Sequence, residues 1–177
     1  MRIIAGDLGG RQFDAPKGHR THPMSEKARG GLFSALGDIG GLTVLDAFAG
    51  SGALSFEAIS RGAKSALAID IDKNAVDTIK RNARNLNIPG KVKAVRANSS
   101  GWSDNNDQAR FDLVFIAPPY DDLQPNLVEK LTKHLVETGV YVLDWPKNEN
   151  IPDLAGLKVI KNKNYGDAIL IFYKKML

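Results

Sequence analysis

The feature that most constrains the fold is a regular alternation of apolar runs and helix-like segments, which begins at Thr43. The runs TVLDA, SALAID, VKAVRA and FDLVFI are separated in part by the helix-like segments ALSFEAISR and NAVDTIKRNARNL. Parallel strands need crossover connections of about this length, and helices then cover both faces of the sheet. The chain is therefore predicted to be an α/β protein with a mostly parallel sheet, and its 177 residues suit a single domain.

The carboxyl end of the chain departs from this alternation. A helix over about Pro125–His134 and a strand at Val140–Leu143 continue the pattern. Two strand-like runs, Leu157–Lys161 and Ala168–Tyr173, then follow with only a short polar connection between them. We expect these two runs to form an antiparallel hairpin at one end of the sheet.

The amino end also departs from the alternation. Two short runs, Arg2–Ala5 and Arg11–Ala15, flank a glycine-rich turn and predict a small β-hairpin. An exposed basic loop should follow over residues 17–23, and Ser25 is a plausible N-cap of the next helix. We therefore expect residues 1–24 to form an extension and residues 25–177 to form the core of the domain.

The amino-terminal segment is also the most basic part of the chain. Residues 1–30 contain six lysines and arginines against three acids, a net charge of +3, where the whole chain has +4. A basic segment predicts a polyanionic partner such as nucleic acid, although a solvated basic surface without a partner is also consistent. The candidate contacts are Arg2, Arg11, Lys17, His19, Arg20, His22 and Arg29.

Several classes of function are disfavoured by composition and motifs. The absence of cysteine excludes disulfides, thiolate metal sites and a cysteine nucleophile, and three widely spaced histidines give no metal-ligand pattern. Neither a G-x-S-x-G elbow nor a G-x-x-x-x-G-K-[ST] phosphate loop is present. The amino end lacks a long apolar stretch, so we expect no signal peptide or membrane anchor, a cytoplasmic location, and a metal-free monomer.

A glycine loop follows the first strand of the alternating region. The run LDAFAGSGALSFEA places Asp46, Phe48, Gly50 and Gly52 between a strand and a helix, where open α/β sheets bind ligands. Ser55 occupies the third glycine position of G-x-G-x-x-G, so the dinucleotide fingerprint is incomplete. A simple tight turn remains an alternative for this loop.

Two further polar residues end the next strands. Asp70 lies about twenty residues after the loop, where a carboxylate accepts hydrogen bonds from ribose hydroxyls. NAD and S-adenosylmethionine both carry that ribose, and Asp70 could instead cap the helix that begins near Lys73. Asn98 follows the third strand, where it could bond the edge of an adenine or serve in an ordinary loop.

The fourth strand ends in an alanine, two prolines and a tyrosine. Pro118 and Pro119 must terminate the strand, because proline donates no hydrogen bond to a sheet. They stiffen the turn that follows Ala117 and hold its carbonyls beside the nucleoside pocket. Tyr120 could then stack on a planar base. A turn without a function remains open.

Taken together, these motifs resemble the RsmD family. The matching stretches are MRIIAGDLGGRQFDAPKG, THPMSEKARGGLF, LDAFAGSGALSFEAISRGA, AIDIDKNAVDTIKRNARNL, FDLVFIAPPY and NKNYGDAILIFY. The resemblance implies a Rossmann-like methyltransferase fold with a seven-stranded sheet and an antiparallel carboxyl-terminal strand. It also implies transfer of a methyl group from S-adenosylmethionine to a guanine N2 amine of 16S ribosomal RNA, in naked RNA or in the small ribosomal subunit.

The resemblance also implies roles for individual residues. The cofactor-binding set would be Asp46, Phe48, Ala49, Gly50, Ser51, Gly52, Asp70, Ile71, Ala97 and Asn98. The target base would lie against Ala117, Pro118, Pro119 and Tyr120, and the basic residues of the amino-terminal segment would bind RNA.

The sequence departs from the family pattern at three positions. The family has Asp or Asn before the two prolines, where this chain has Ala117, and His22 and Gly30 replace a usual arginine and glutamate. Loss of one side-chain acceptor should slow methyl transfer roughly 10- to 100-fold. An alternative is therefore a methyltransferase-like RNA-binding protein with weak or lost activity. A third interpretation, an NAD-dependent dehydrogenase, leaves the two prolines unexplained.

Overall fold

The computed structural model describes residues 1–18 and 23–177. The strands are β1 (Thr43–Asp46), β2 (Ser65–Asp70), β3 (Val92–Arg96), β4 (Phe111–Ile116), β5 (Leu135–Pro146), β6 (Leu157–Tyr165) and β7 (Ala168–Lys175). The helices are α1 (Glu26–Leu36), α2 (Ala53–Ser60), α3 (Lys73–Asn85), α4 (Ser99–Asn105) and α5 (Pro125–Lys130), and a 3₁₀ turn (Leu131–His134) follows α5.

The seven strands form one sheet in the order β3-β2-β1-β4-β5-β7-β6. The first five strands are parallel to one another, and β7 pairs antiparallel with both β5 and β6. The predicted α/β class, the parallel sheet and the carboxyl-terminal hairpin are thus confirmed. The hairpin strands are longer than predicted, because polar residues as far as Tyr165 continue the ladder and leave a two-residue turn.

Two apolar cores lie on opposite faces of the sheet. On one face, here called the α1 face, Phe33 of α1 packs edge-to-face on Phe115, with ring centroids 5.7 Å apart. On the other, the α5 face, Val128 of α5 belongs to the core beneath β4 and β5. Alternation along β7 places Leu170 and Phe172 on the α1 face and their neighbours on the α5 face.

The amino-terminal segment packs on the α1 face. Its predicted hairpin is present as one antiparallel bridge, Arg2 with Gln12, and Phe13 packs on Phe56 of α2 at a centroid distance of 5.1 Å. Buried polar side chains fix its backbone, since Glu57 accepts hydrogen bonds from the N–H groups of residues 4 and 5 and Asn82 bonds both backbone groups of Asp14. The segment therefore docks on α2 and α3 through specific hydrogen bonds.

Candidate active site

A cavity of about 380 Å³ opens at the carboxyl edge of the parallel strands. The residues that follow β1, β2, β3 and β4 all contribute to it, as expected for ligand binding in an open α/β sheet. Its lining residues are Gly18, Ala47, Phe48, Gly50, Asp70, Ile71, Asp72, Ala97, Asn98, Ser99, Ala117, Pro119, Gln124 and Leu127. Eight residues of the two candidate sets, from Phe48 to Pro119, thus meet in one cavity.

The glycine loop brings backbone close to this cavity. Gly50 and Gly52 have φ values of +55° and +81°, which residues with a side chain rarely adopt. A Cβ added to Gly52 would also lie 3.0 Å from side-chain carbons of Ile79 and Phe56. Glycine is therefore required at position 52 both by the backbone conformation and by the packing of α2 on α3.

Asp70 is fixed in the wall of the cavity. One carboxylate oxygen accepts a hydrogen bond from the Gly50 N–H at 2.8 Å, and the other accepts from the Asp72 N–H at 2.9 Å. Helix α3 is capped by Asp72, whose carboxylate accepts from the Asn74 N–H at 2.9 Å. The alternative role for Asp70, capping this helix, is therefore wrong, and the carboxylate instead joins the glycine loop to the end of β2.

Asp46 lies beneath the same loop and does not line the cavity. It is 1% exposed, and its carboxylate accepts a hydrogen bond from the Ser55 hydroxyl at 2.8 Å. Burial raises the pKa of Asp46 to about 7, although the bond from Ser55 opposes this shift. Asp46 is therefore a buried carboxyl group in a low-dielectric environment behind the glycine loop.

The end of β3 combines a capping residue with an exposed apolar neighbour. Asn98 caps α4, because its side-chain oxygen accepts from the Ser100 N–H at 2.8 Å. Ser99 donates to the Ala47 carbonyl at 2.5 Å and so ties this end to the glycine loop. Ile71 is 66% exposed at the cavity, an unusual exposure for a large apolar side chain. It offers an apolar surface to a planar ligand.

The diproline turn contributes Ala117 and Pro119 to the cavity lining, whereas Pro118 is buried beside it. The Pro119 carbonyl accepts a hydrogen bond from the Asp122 N–H at 3.0 Å. Among the described residues, none donates to the Pro118 carbonyl. The turn is thus closed on itself through Pro119, and the Pro118 carbonyl keeps its capacity to accept a hydrogen bond.

Tyr120 lies outside the cavity lining and is 44% exposed. Its hydroxyl donates to an Asp144 carboxylate oxygen at 2.5 Å, at the end of β5. Burial and the neighbouring carboxylate raise the pKa of Tyr120, so the phenol stays protonated. The ring is therefore held at the same sheet edge by its hydroxyl group.

Sequence reasoning missed six lining residues, which are Gly18, Ala47, Asp72, Ser99, Gln124 and Leu127. Gln124 has a positive φ of +50°, which is uncommon for a residue with a side chain. The one local signal in the sequence is Pro125, which follows Gln124 and marks the start of α5. Gly18 was missed because its place depends on the docking of the amino-terminal segment, where the Lys17 carbonyl accepts from Asn74 at 2.6 Å.

The predicted RNA-binding residues differ in exposure in the structure. Arg11 and Lys17 are exposed, and Arg2 is exposed but paired with Glu26 at 2.8 Å. The prediction for Arg29 is wrong, because its side chain is 1% exposed and pairs with buried Glu57 at 3.6 Å. Residues 19, 20 and 22 (His19, Arg20 and His22) lie outside the described residues.

Comparison with known proteins assigns the family. The family described as "Conserved hypothetical protein 95" matches residues 1–174. The chain belongs to this family, the RsmD family of methyltransferases. Ribosomal RNA small subunit methyltransferase D of Buchnera aphidicola is 36% identical over 141 residues, which cover 79% of this chain and 71% of that protein. The protein of the same name from Escherichia coli K12 is 31% identical over 140 residues, which cover 78% and 68%.

A solved structure supports the same relationship. A hypothetical protein from Thermus thermophilus is 28% identical and superposes with a TM-score of 0.84, covering 98% of this chain and 99% of that one.

Across residues 1–18 and 23–177, no helix has the length and apolarity needed to cross a membrane. The same described ranges contain no cluster of three or more His, Asp or Glu side chains suited to a metal ion.

Proposed function

We propose that this RsmD-family protein is an S-adenosylmethionine-dependent methyltransferase that modifies the N2 amine of a guanine in 16S ribosomal RNA, acting as a cytoplasmic monomer. The observation that carries the proposal is the single cavity shared by Asp70, the glycine loop and the diproline turn. A ribose-binding carboxylate and a base-binding turn at one sheet edge are what a methyl transfer between a nucleoside cofactor and a nucleobase requires.

The residues present fit the cofactor. Each Asp70 oxygen accepts one backbone N–H and retains capacity for a ribose hydroxyl, since a carboxylate oxygen has two lone pairs. The cavity lining includes the carboxylates of Asp70 and Asp72, and none of the described lining residues is lysine or arginine. This charge favours a sulfonium cation and disfavours the pyrophosphate of NAD, which argues against the dehydrogenase interpretation.

The diproline turn would position the base. When bound, S-adenosylmethionine would supply a methyl group to the amine: the C–N bond forms as the C–S bond breaks, the sulfur leaves as a thioether, and the nitrogen releases one proton to solvent. The guanine amine is a poor nucleophile because its lone pair is delocalised, so positioning dominates the rate. The Pro118 carbonyl would accept one N–H of the amine and stabilise the positive charge that develops on nitrogen. Tyr120, fixed through Asp144, would flank the base as a rigid aromatic surface.

Two measurements test the proposal. Calorimetry should show binding of S-adenosylmethionine and no comparable binding of NAD. Tritiated methyl transfer to small-subunit RNA, followed by nucleoside mass spectrometry, should yield N2-methylguanosine. Binding of NAD in place of the sulfonium cofactor, or methylation at another atom, would contradict the proposal.

A pair of variants connects the binding to the site. Asp70→Ala should weaken cofactor binding by at least about tenfold, because it removes an acceptor for ribose hydroxyls and frees the Gly50 N–H. Asp77→Ala removes a carboxylate from the exposed face of α3, outside the cavity, and should leave cofactor affinity unchanged. Equal cofactor affinities for the two variants would contradict a role for Asp70 in cofactor binding.

A further inference from the structure

The hairpin of β6 and β7 carries a large share of the positive charge. Between Leu157 and Lys175 it has five lysines and one aspartate, a net charge of +4 that equals that of the whole chain. Its lysines are Lys158, Lys161, Lys163, Lys174 and Lys175. Strand β6 is the edge strand of the sheet, so its side chains are covered by no further strand.

The strand register places four of these lysines on one face. Lys161 pairs with Phe172 and Lys163 with Leu170, and both partners belong to the core of the α1 face. Lys158 pairs with Lys174, which lies two residues after Phe172 and therefore on the same face. The irregularity between Val159 and Lys161 keeps the lysines in phase across the bulge. We call Lys158, Lys161, Lys163 and Lys174 the lysine row.

The lysine row has no internal counter-charge. Within the described part of the chain, none of its four members makes an ion pair, whereas Lys175 on the α5 face pairs with Glu137 at 3.1 Å. Lys158 and Lys174 stand directly opposite each other. Like charges in that position destabilise a sheet, and a bound anion would relieve the repulsion.

The lysine row leads to the edge of the sheet that carries the cavity. Strand β6 ends at Tyr165, which pairs with Ala168, and Ala168 pairs with Pro146 at the end of β5. The neighbouring Trp145 carbonyl accepts a hydrogen bond from Tyr120 at 3.3 Å. One end of the lysine row is therefore on the active-site side of the sheet.

The row also adjoins helix α1. The Tyr165 hydroxyl lies so close to Gly31 that a Cβ on this glycine would be 1.7 Å from it. Lys27 is exposed and lies one turn before Gly31 on the same side of the helix. Lys27 thus extends the basic surface from the hairpin across α1.

Protection of an exposed strand edge accounts for part of this pattern. Lysines on an edge strand prevent pairing with another chain. That role requires charge on β6 alone and leaves Lys174, on the inner strand β7, without an explanation. It also gives no reason for placing Lys174 opposite Lys158.

We propose that the lysine row is an RNA-binding surface, which contacts phosphates of the substrate ribosomal RNA while the cavity holds the target base. The inference rests on the proposed function and adds a second contact region to it. The charge is suited to a polyanion, and its continuity with the active-site edge gives one strand of RNA a path to both places.

The test replaces all four lysines of the row by glutamine. A matched control replaces four other exposed lysines that make no ion pair, Lys64, Lys80, Lys91 and Lys93. Binding to deproteinised small-subunit ribosomal RNA is measured over a range of KCl concentrations. Each lost phosphate contact lowers the magnitude of the slope of log K against log salt by about 0.7–0.9, so the row variant should lose about 3–4 and the control much less.

Activity and stability measurements accompany the binding. The row variant should bind RNA roughly 10- to 100-fold more weakly at about 0.15 M salt, raise KM for RNA and keep the wild-type affinity for S-adenosylmethionine. If its Tm shows that it does not fold, the pair Lys161→Gln and Lys163→Gln is used, with an expected loss of about 1–2 in the slope.

The outcomes separate the two proposals. A wild-type protein without methyl transfer overturns the proposed function. An active wild-type protein whose row variant matches the control in slope and affinity overturns the lysine row alone. A row variant that self-associates while it retains full RNA affinity also overturns it, because the lysines then serve only to protect the edge.

Discussion

Replacement of Ala117 by asparagine should accelerate methyl transfer. Ala117 lines the cavity beside Pro119, but the Pro119 carbonyl is already engaged by the Asp122 N–H at 3.0 Å. The turn therefore offers the incoming amine a backbone acceptor and no side-chain acceptor. An asparagine oxygen would add one hydrogen bond to a nitrogen that becomes positively charged in the transition state. Such a bond contributes about 1.5–3 kcal/mol, which corresponds to a roughly 10- to 100-fold faster step.

The assay must isolate the chemical step. A single-turnover experiment with saturating RNA and cofactor avoids limitation by product release. Ala117→Leu is the matched control, because leucine resembles asparagine in size and lacks an acceptor. It should be no faster than the natural protein. An asparagine variant within twofold of the natural rate, or a leucine variant as fast as the asparagine one, would refute the assigned role of this position.

Two further predictions concern stability. Burial raises the pKa of Asp46 to about 7, so the folded protein keeps a proton that the unfolded chain releases near pH 4. The free energy of unfolding should therefore fall as pH rises from about 4 to 7, and this group should contribute on the order of 4 kcal/mol to the fall. Urea titrations of Asp46→Asn over the same pH range should show no such contribution. Glu57→Gln should cost about 3–5 kcal/mol, because Arg29 loses its buried partner and Glu57 also holds the N–H groups of residues 4 and 5. Adding Arg29→Met removes the unpaired charge and should recover part of the loss; a double variant no more stable than Glu57→Gln in urea would contradict this explanation.

Periodicity was sufficient to predict the sheet. Each apolar run that follows a helix-like segment became a parallel strand, and crossovers join β1 to β4. The carboxyl edge then follows from topology, which is why Gly50, Asp70 and Ala117 could be expected to lie together. Parallel strands place these three residues at one edge of the sheet, whereas packing decides which of their neighbours line the cavity.

Residues whose roles depend on tertiary contacts could not be placed in this way. Gln124 reaches the cavity through a turn with positive φ, and no local pattern encodes that conformation. Tyr120 was expected to stack on a base, and the hydrogen bond that fixes its ring is made to Asp144, which is distant in sequence. Gly18 lines the cavity only because the preceding residue is bonded to α3.

The number of charges in a segment does not predict how many of them are accessible to RNA, as Arg29 shows. Arg29 counts toward the basic amino-terminal segment in sequence, yet α1 directs it inward to Glu57, where it helps to hold that segment. Its guanidinium also donates to the Arg2 carbonyl at 2.5 Å, so the charge organises the backbone of the amino-terminal segment and is withheld from solvent. Counting charges along the chain thus overstates the amino-terminal surface available to RNA. The register of β6 and β7 has the opposite effect, because it gathers lysines that are dispersed in sequence onto one exposed face. If RNA binding follows accessible charge, the salt dependence of binding should reflect the lysine row more strongly than Arg29.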